Sequence, residues 1–193
     1  MAFEHYIYAD GKQLRCGYTT GTCAALAASG AVQKLLTGVW PETVSLRTPK
    51  GLTVEVPLEH CRMQGDTAQC SVRKDGGDDV DKTTGALIQA SVSLSDTPGV
   101  RIRGGQGVGR VTKPGLDQPV GEAAINRVPR QMIREAVEAA CRTADYDGGA
   151  EVTISVPEGE AIAQKTFNPQ MGIVGGISIL GTSGIVEPMS MQA

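Results

Sequence analysis

Two segments of the chain carry apolar residues at the spacing of an α-helix. Residues 19–22 precede a run of small apolar residues, 23–36, which predicts a helix with a threonine N-cap and an end at Gly38. The second helix is predicted to begin at Pro129. There, apolar residues recur along one face as far as Cys141, and charged residues occupy the other.

Alternating apolar and polar residues predict strands in other parts of the chain. The pattern on either side of the turn residues 49–51 predicts a β-hairpin formed by 44–47 and 52–56. Further elements are strands at 86–94, 100–103 and 151–156, a short helix at 158–166, and a Gly-rich apolar segment at 172–184. Hairpins with separated helices, rather than repeated βαβ units, favour an α+β fold in which helices pack on a mixed or antiparallel sheet.

The composition narrows the class of protein. The 193 residues suffice for one domain, and 40% are hydrophobic, which is enough to build a core. A net charge of −3 argues against a nucleic-acid partner. The sequence has no apolar run of the roughly 18 residues that cross a membrane, and its beginning does not resemble a signal peptide. We therefore expect a cytoplasmic protein that does not bind membranes.

The cysteines and histidines do not form a metal-binding pattern. The odd number of cysteines and the absence of a C-x-x-C pair fit neither a zinc site nor a disulfide framework. The chain has only two histidines. We predict no metal site and free, buried thiols at five positions, Cys16, Cys23, Cys61, Cys70 and Cys141.

Residues 104–126, GGQGVGRVTKPGLDQPVGEAAIN, form a long segment rich in glycine and turn residues. A loop of this length without its own hydrophobic period is typical of a functional segment, and we interpret it as an ordered loop that wraps around a ligand. The spacing Gly105-x-Gly107-x-Gly109 does not fit a dinucleotide-binding fingerprint, because the third glycine comes one residue early. Segment 176–183 is not a P-loop, because Thr182 stands where the lysine is required.

The glycine-rich segment has the composition of an anion-binding loop. It supplies backbone N–H groups next to Arg103, Arg110 and Lys113, and such groups suit carboxylates or other anions. A surface turn that carries basic side chains without a ligand explains the same pattern. The residues alone leave both interpretations open.

Residues 74–81, KDGGDDVD, place four carboxylates close together. Such crowding raises carboxyl pKa values or attracts a hard cation. An EF-hand is excluded, because no glutamate occupies the twelfth position counted from Asp75 or Asp79. The segment is therefore either a polar site, in which one carboxylate acts as a base or orients a ligand, or a solvated acidic turn.

Four blocks, taken in order, resemble the CbiD family of cobalamin biosynthesis, the cobalt-precorrin-5B C1-methyltransferases. They are the sequence LRCGYTTGTCAA at 14–25, the acidic residues 74–81, the glycine-rich residues 104–126, and Asn168-Pro169 together with 172–189. The acidic block departs from the family pattern, which usually has Ala, Pro and His where this chain has Gly76, Val80 and Thr84. The family's imidazole is therefore missing at Thr84.

The resemblance implies a two-layer α+β fold for residues 1–193, as the family's N-terminal domain, with its C-terminal α/β domain absent from this chain. It also implies an activity, the transfer of a methyl group from S-adenosylmethionine to C1 of cobalt-precorrin-5B to give cobalt-precorrin-6A. Two alternatives stay open. One is a non-catalytic module that binds a corrinoid or another anion. The other is a structural domain whose Gly-rich loops join copies of the chain in a homo-oligomer.

The resemblance further implies which residues form the site. Because the corrinoid carries acetate and propionate arms, cationic and polar side chains are expected to bind it: Arg15, Thr19, Thr20, Arg103, Arg110, Lys113, Asn126 and Arg127. Gly-rich backbone is expected to hold the methyl donor: Gly104, Gly105, Gly107, Gly109, Gly175, Gly176, Gly181 and Thr182. One of three acidic residues is expected to adjust the protonation of the macrocycle: Asp78, Asp79 or Glu122.

Overall fold

A computed structural model describes residues 3–189. Its helices are α1 (Thr20–Thr37), α2 (Arg127–Thr143), α3 (Gly159–Ala163) and α4 (Asn168–Met171). Its strands are β1 (Tyr6–Ala9), β2 (Lys12–Arg15), β3 (Gly17–Tyr18), β4 (Thr43–Arg47), β5 (Thr53–Pro57), β6 (Glu59–Gln64), β7 (Thr67–Arg73), β8 (Leu87–Ser95), β9 (Gly99–Gly104), β10 (Arg110–Val111), β11 (Gly149–Ser155), β12 (Ile173–Val174) and β13 (Ile185–Val186).

A five-stranded mixed sheet forms one layer of the fold. Its strand order is β6-β7-β8-β11-β9, and all neighbouring strands are antiparallel except β11 and β9, which are parallel. The central strands bury every second side chain, as expected of a sheet covered on one face. These buried residues are Ala68, Cys70, Val72, Ile88, Ala90, Val92, Ala150, Val152 and Ile154.

Two long helices form the second layer. α1 packs on β7 and β8, α2 packs on β9 and β11, and the two helices also contact each other. The small side chains of α1 allow a close approach to the sheet, where the Cys70 thiol lies 3.1 Å from the Ala27 carbonyl oxygen. The Thr19 hydroxyl accepts a hydrogen bond from the Thr22 N–H at 3.2 Å, and Gly38 ends the helix with a φ of 81°. The two-layer α+β prediction is confirmed.

Several predicted details are corrected by the structure. The helix predicted over 158–166 is limited to Gly159–Ala163, and two strands of the central sheet, β6 and β7, were not predicted. All five cysteines are free, but Cys61 is exposed on β6, so the prediction that it is buried is wrong. The residues of β6 are largely exposed because this strand lies at the edge of the sheet. Within residues 3–189, no helix has both the length and the hydropathy needed to span a membrane.

Candidate functional site

The blocks that carry the family resemblance meet near the first turn of α1. The C-terminal segment, residues 172–189, pairs through short bridges with the glycine loop, residues 104–126. Farther along, the same segment contacts α1, where the Gly21 N–H donates to the Leu180 carbonyl oxygen at 3.0 Å. The C-terminal segment therefore links the glycine loop to the start of α1.

The acidic loop, residues 74–85, is held against the residues before α1 by a two-point ion pair. The Arg15 guanidinium donates to both carboxylate oxygens of Asp75, at 2.8 and 2.9 Å. The Arg15 N–H also donates to the Asp78 carboxylate at 2.6 Å. The hydrogen bond from Arg15 lowers the pKa of Asp75 below its usual value. Arg15 and Asp78 thus contact each other. Asp79, which lies in the same loop, is half-buried.

A second ion pair in the acidic loop lies at a cavity of about 170 Å³. The Lys74 side chain is only 2% exposed, and its ammonium donates to the Asp81 carboxylate. Burial raises the pKa of Asp81, but the hydrogen bonds from Lys74 and Thr83 outweigh it, and the pKa lies below its usual value. The same cavity is lined by Thr20 and Asn168. Lys74, Asp81 and Asn168 lie in the blocks that resemble the family, but they were not predicted as site residues, and the only signal for Lys74 is that it begins the acidic block.

The threonines that precede and begin α1 are buried and engaged in hydrogen bonds. Thr19 is the N-cap of the helix. The Thr20 hydroxyl accepts from the Leu180 N–H at 3.0 Å and donates to the Ser178 carbonyl oxygen at 3.3 Å. Both threonines line the 170 Å³ cavity, and their role in binding substrate stays a prediction.

The cations of the glycine loop are exposed on two parts of the surface. Arg103 lies on the edge strand β9, whereas Arg110 and Lys113 lie on the loop itself. The Arg110 guanidinium donates to the Gly121 carbonyl oxygen at 3.1 Å, and the Lys113 ammonium lies 3.4 Å from the Gln170 carbonyl oxygen. Backbone carbonyl oxygens therefore hold both side chains in position, although both side chains are exposed to solvent.

The remaining polar residues of the glycine loop lie near the start of α2. Asn126 is the N-cap residue of α2, but its side chain makes no capping hydrogen bond, and its N–H donates to the Ile179 carbonyl oxygen at 2.9 Å. Arg127 and Glu122 are exposed. The loop folds back on itself, since the Gly121 N–H donates to the Val111 carbonyl oxygen at 2.8 Å.

Most glycines predicted to hold the methyl donor are packed against other parts of the chain. A Cβ at Gly107 would overlap the Val156 carbonyl oxygen, and a Cβ at Gly176 would overlap Gly107. The Gly105 and Gly109 N–H groups donate to carbonyl oxygens of Ile154 and Ile177, at 2.7 and 2.9 Å. The other predicted donor-binding residues range from half-buried to exposed: Gly104, Gly175, Gly181 and Thr182. Packing within the chain explains why glycine stands at positions 105, 107, 109 and 176. That any of these residues binds the methyl donor stays a prediction.

A larger groove, of about 900 Å³, lies between α1, α2 and the β4–β5 hairpin. Its walls are mainly apolar and include Ala136, Ala139 and Ala140 of α2. Of the residues predicted to form the site, Thr182 alone lines this groove. Within residues 3–189, no three His, Cys, Asp or Glu side chains are grouped so as to hold a metal ion.

The chain is similar to proteins of one family along almost its whole length. The sequence model of the CbiD family matches residues 7–188. A cobalt-precorrin-5B C(1)-methyltransferase of Geobacillus kaustophilus is 57% identical over 182 residues, which cover 94% of this chain and 49% of the relative. The enzyme of that name from Ruminiclostridium cellulolyticum is 51% identical over 190 residues, covering 98% of this chain and 49% of the relative. The chain therefore spans about half the length of these curated relatives.

The fold is similar to that of a solved structure. The crystal structure of a cobalamin biosynthesis protein (CbiD) from Archaeoglobus fulgidus superposes with a TM-score of 0.72 at 38% sequence identity. The match covers 95% of this chain and 58% of the other. With the sequence matches and the converging blocks, this similarity shows that the chain belongs to the CbiD family.

Proposed function

We propose that this chain takes part in the methylation of C1 of cobalt-precorrin-5B, with S-adenosylmethionine as the methyl donor and cobalt-precorrin-6A as the product. The 57% identity to a relative that bears this enzyme name, over 94% of the chain, is the observation that carries the proposal. We place the reaction in the cytoplasm, where the five free cysteines suit a reducing compartment.

Exposed cations supply contacts for the substrate. A ring-contracted corrinoid has several acetate and propionate arms, and Arg or Lys side chains bind such carboxylates through charge-assisted hydrogen bonds. Arg110 and Lys113 are both exposed on the glycine loop, and Arg103 and Arg127 are exposed as well. Exposed apolar side chains in and beside the C-terminal segment can contact the faces of the macrocycle: Phe167, Met171, Val174 and Leu180.

The reaction depends chiefly on how the two ligands are positioned. The bound donor supplies an electrophilic methyl group, and the electron pair of C1 forms the new carbon–carbon bond as the carbon–sulfur bond breaks. The chain's own task is to hold the two ligands in line, at roughly 3–3.5 Å between reacting atoms. One of Asp78, Asp79 or Glu122 adjusts the protonation of the macrocycle. Glu122 follows Gly121, whose carbonyl oxygen accepts a hydrogen bond from Arg110.

Calorimetric titration of the chain with each ligand separates this proposal from its alternatives. We expect both S-adenosylmethionine and a corrinoid with free carboxylate arms to bind. Binding of the corrinoid without the methyl donor would instead indicate a non-catalytic module. Binding of neither ligand, together with self-association in sedimentation, would indicate a structural oligomerisation domain.

A further inference from the structure

A buried lysine, Lys74, lines the 170 Å³ cavity. Lys74 is almost completely buried, with 2% of its side chain exposed. An ammonium group has three N–H donors, yet within residues 3–189 its one hydrogen-bond partner is the Asp81 carboxylate. Unpaired donors on a buried charged group cost free energy. The cavity therefore has space for a second hydrogen-bond acceptor beside Lys74.

The Asp81 carboxylate is fixed in place by the acidic loop itself. Its Oδ1 accepts from the Thr83 N–H at 2.8 Å and from the Thr83 hydroxyl at 2.7 Å, while Oδ2 accepts from Lys74. The backbone of Lys74 is held as well, because its N–H donates to the Ala86 carbonyl oxygen at 2.9 Å. The ammonium is thus preorganised at the cavity wall before any ligand arrives.

The Asp81 carboxylate also lines the cavity, but the other polar groups of the wall favour a negative charge. The Asn168 amide nitrogen reaches the Gly176 carbonyl and the Ser178 hydroxyl only at 3.4 Å, near the limit of a hydrogen bond, so it is available to a better acceptor. Thr19 and Thr20 place the N-terminal end of the 18-residue helix α1 at the same cavity. That end of a helix carries a partial positive charge.

We propose that this cavity binds a carboxylate group, with Lys74 as the cation and Asn168 as a second donor. The inference deepens the proposed function and rests on it for the choice of ligands. Two sources supply a carboxylate, an arm of the corrinoid or the α-carboxylate of the methyl donor. The cavity accommodates a small group rather than a macrocycle. Leu180, which lines the cavity and is exposed, offers an apolar contact to the rest of either ligand.

Two matched ligand pairs test the inference with the whole chain by calorimetry. The first pair is S-adenosylmethionine and its decarboxylated analogue, which lacks only the α-carboxylate. The second pair is a cobalt corrinoid with free acetate and propionate arms and the same corrinoid with its arms amidated. We expect the carboxylated member of at least one pair to bind at least tenfold more tightly than its partner. Because Arg110 and Lys113 also favour the free arms of the corrinoid, the source is the pair whose preference falls in the cavity variants below.

Variants then assign the preference to the cavity. Lys74→Met alone leaves Asp81 half-buried without its cation, so we use the double variant Lys74→Met/Asp81→Asn, which removes both charges. Asn168→Asp is nearly isosteric and places a negative charge where the ligand carboxylate would lie. We expect the double variant to reduce the preference at least tenfold in the pair that supplies the carboxylate, and Asn168→Asp to weaken only the carboxylated ligand of that pair by at least tenfold. Lys82→Met, at an exposed lysine of the same loop, should change neither.

The outcomes separate this inference from the proposed function. A wild-type chain that shows no preference in either pair overturns the inference. The inference is also overturned if the preference in both pairs is unchanged in the double variant, shown to be folded by circular dichroism. If the double variant does not fold, an unchanged preference in Asn168→Asp overturns it. A carboxylate preference that depends on Lys74, in a chain that transfers no methyl group, would instead leave the inference standing and contradict the proposed function.

Discussion

At the scale of single residues, the acidic loop is organised by ion pairs instead of lying solvated at the surface. Arg15 binds Asp75 at two points, and Lys74 binds Asp81. The sequence left open whether this loop is a polar site or an acidic turn. Because Lys74 is buried and paired with Asp81, the loop is not a fully solvated turn, and its role as a polar site stays a prediction.

The Arg15–Asp75 pair makes stability depend on pH. The pKa of Asp75 in the folded chain is lowered, so its contribution is fully present above the unfolded value of about 3.9 and is lost as the pH falls through the folded value. We expect the wild type to lose more unfolding free energy than Asp75→Asn between pH 5 and pH 2, measured by urea denaturation. Asp66→Asn, at an exposed turn residue, should keep the wild-type pH dependence; equal curves for all three proteins would contradict this account.

Gly107 is required by close packing of the glycine loop. Its φ is +75°, and a Cβ there would overlap the Val156 carbonyl oxygen. Gly115 has a similar φ of +94° but nothing within 4 Å of a Cβ, so Gly115→Ala measures the backbone cost alone, about 1–2 kcal/mol. We expect Gly107→Ala to lower the free energy of unfolding, measured by urea denaturation, by about 1–3 kcal/mol more than Gly115→Ala does. Equal losses in the two variants would show that the packing is not tight.

At the scale of elements, the sequence predicts those with a strong local pattern. The capped, small-residue helix α1 and the amphipathic helix α2 were predicted within a few residues, as was β8. β6 has the sequence EHCRMQ and β7 the sequence TAQCSVR. Both contain so many polar and small residues that they show no clear alternation of apolar and polar positions. β7 pairs with β8, which joins residues distant in sequence such as Ala68 and Val92, and β6 enters the sheet by pairing with β7. A local pattern therefore could not reveal these two strands.

The glycine loop is the element to which we assign most of the substrate contacts. Replacing both Arg110 and Lys113 by alanine should abolish binding of a corrinoid with free carboxylate arms, because two exposed cations are lost from one loop. The matched control is Arg134→Ala/Arg142→Ala, which removes two exposed cations from α2. Calorimetry should show corrinoid binding retained in the control. Unchanged affinity in Arg110→Ala/Lys113→Ala would contradict the role of this loop.

At the scale of the whole molecule, four blocks that are distant in sequence meet near one end of α1. The order of the blocks was sufficient to identify the family, but not to show which of their side chains contact each other. Arg15 is 60 residues from Asp75, and Thr20 is 160 residues from Leu180. Such pairs depend on the topology of the sheet and helices. For this reason Arg15 was predicted as a substrate contact, although its guanidinium already binds Asp75.

Methyl transfer measured by mass spectrometry tests the central claim most directly. The chain is incubated with S-adenosylmethionine and cobalt-precorrin-5B, each at a concentration that saturates its binding. We expect the corrinoid to gain the mass of one methyl group, at C1, and to do so only in the presence of the folded chain. A corrinoid of unchanged mass, with both ligands bound, would contradict the account.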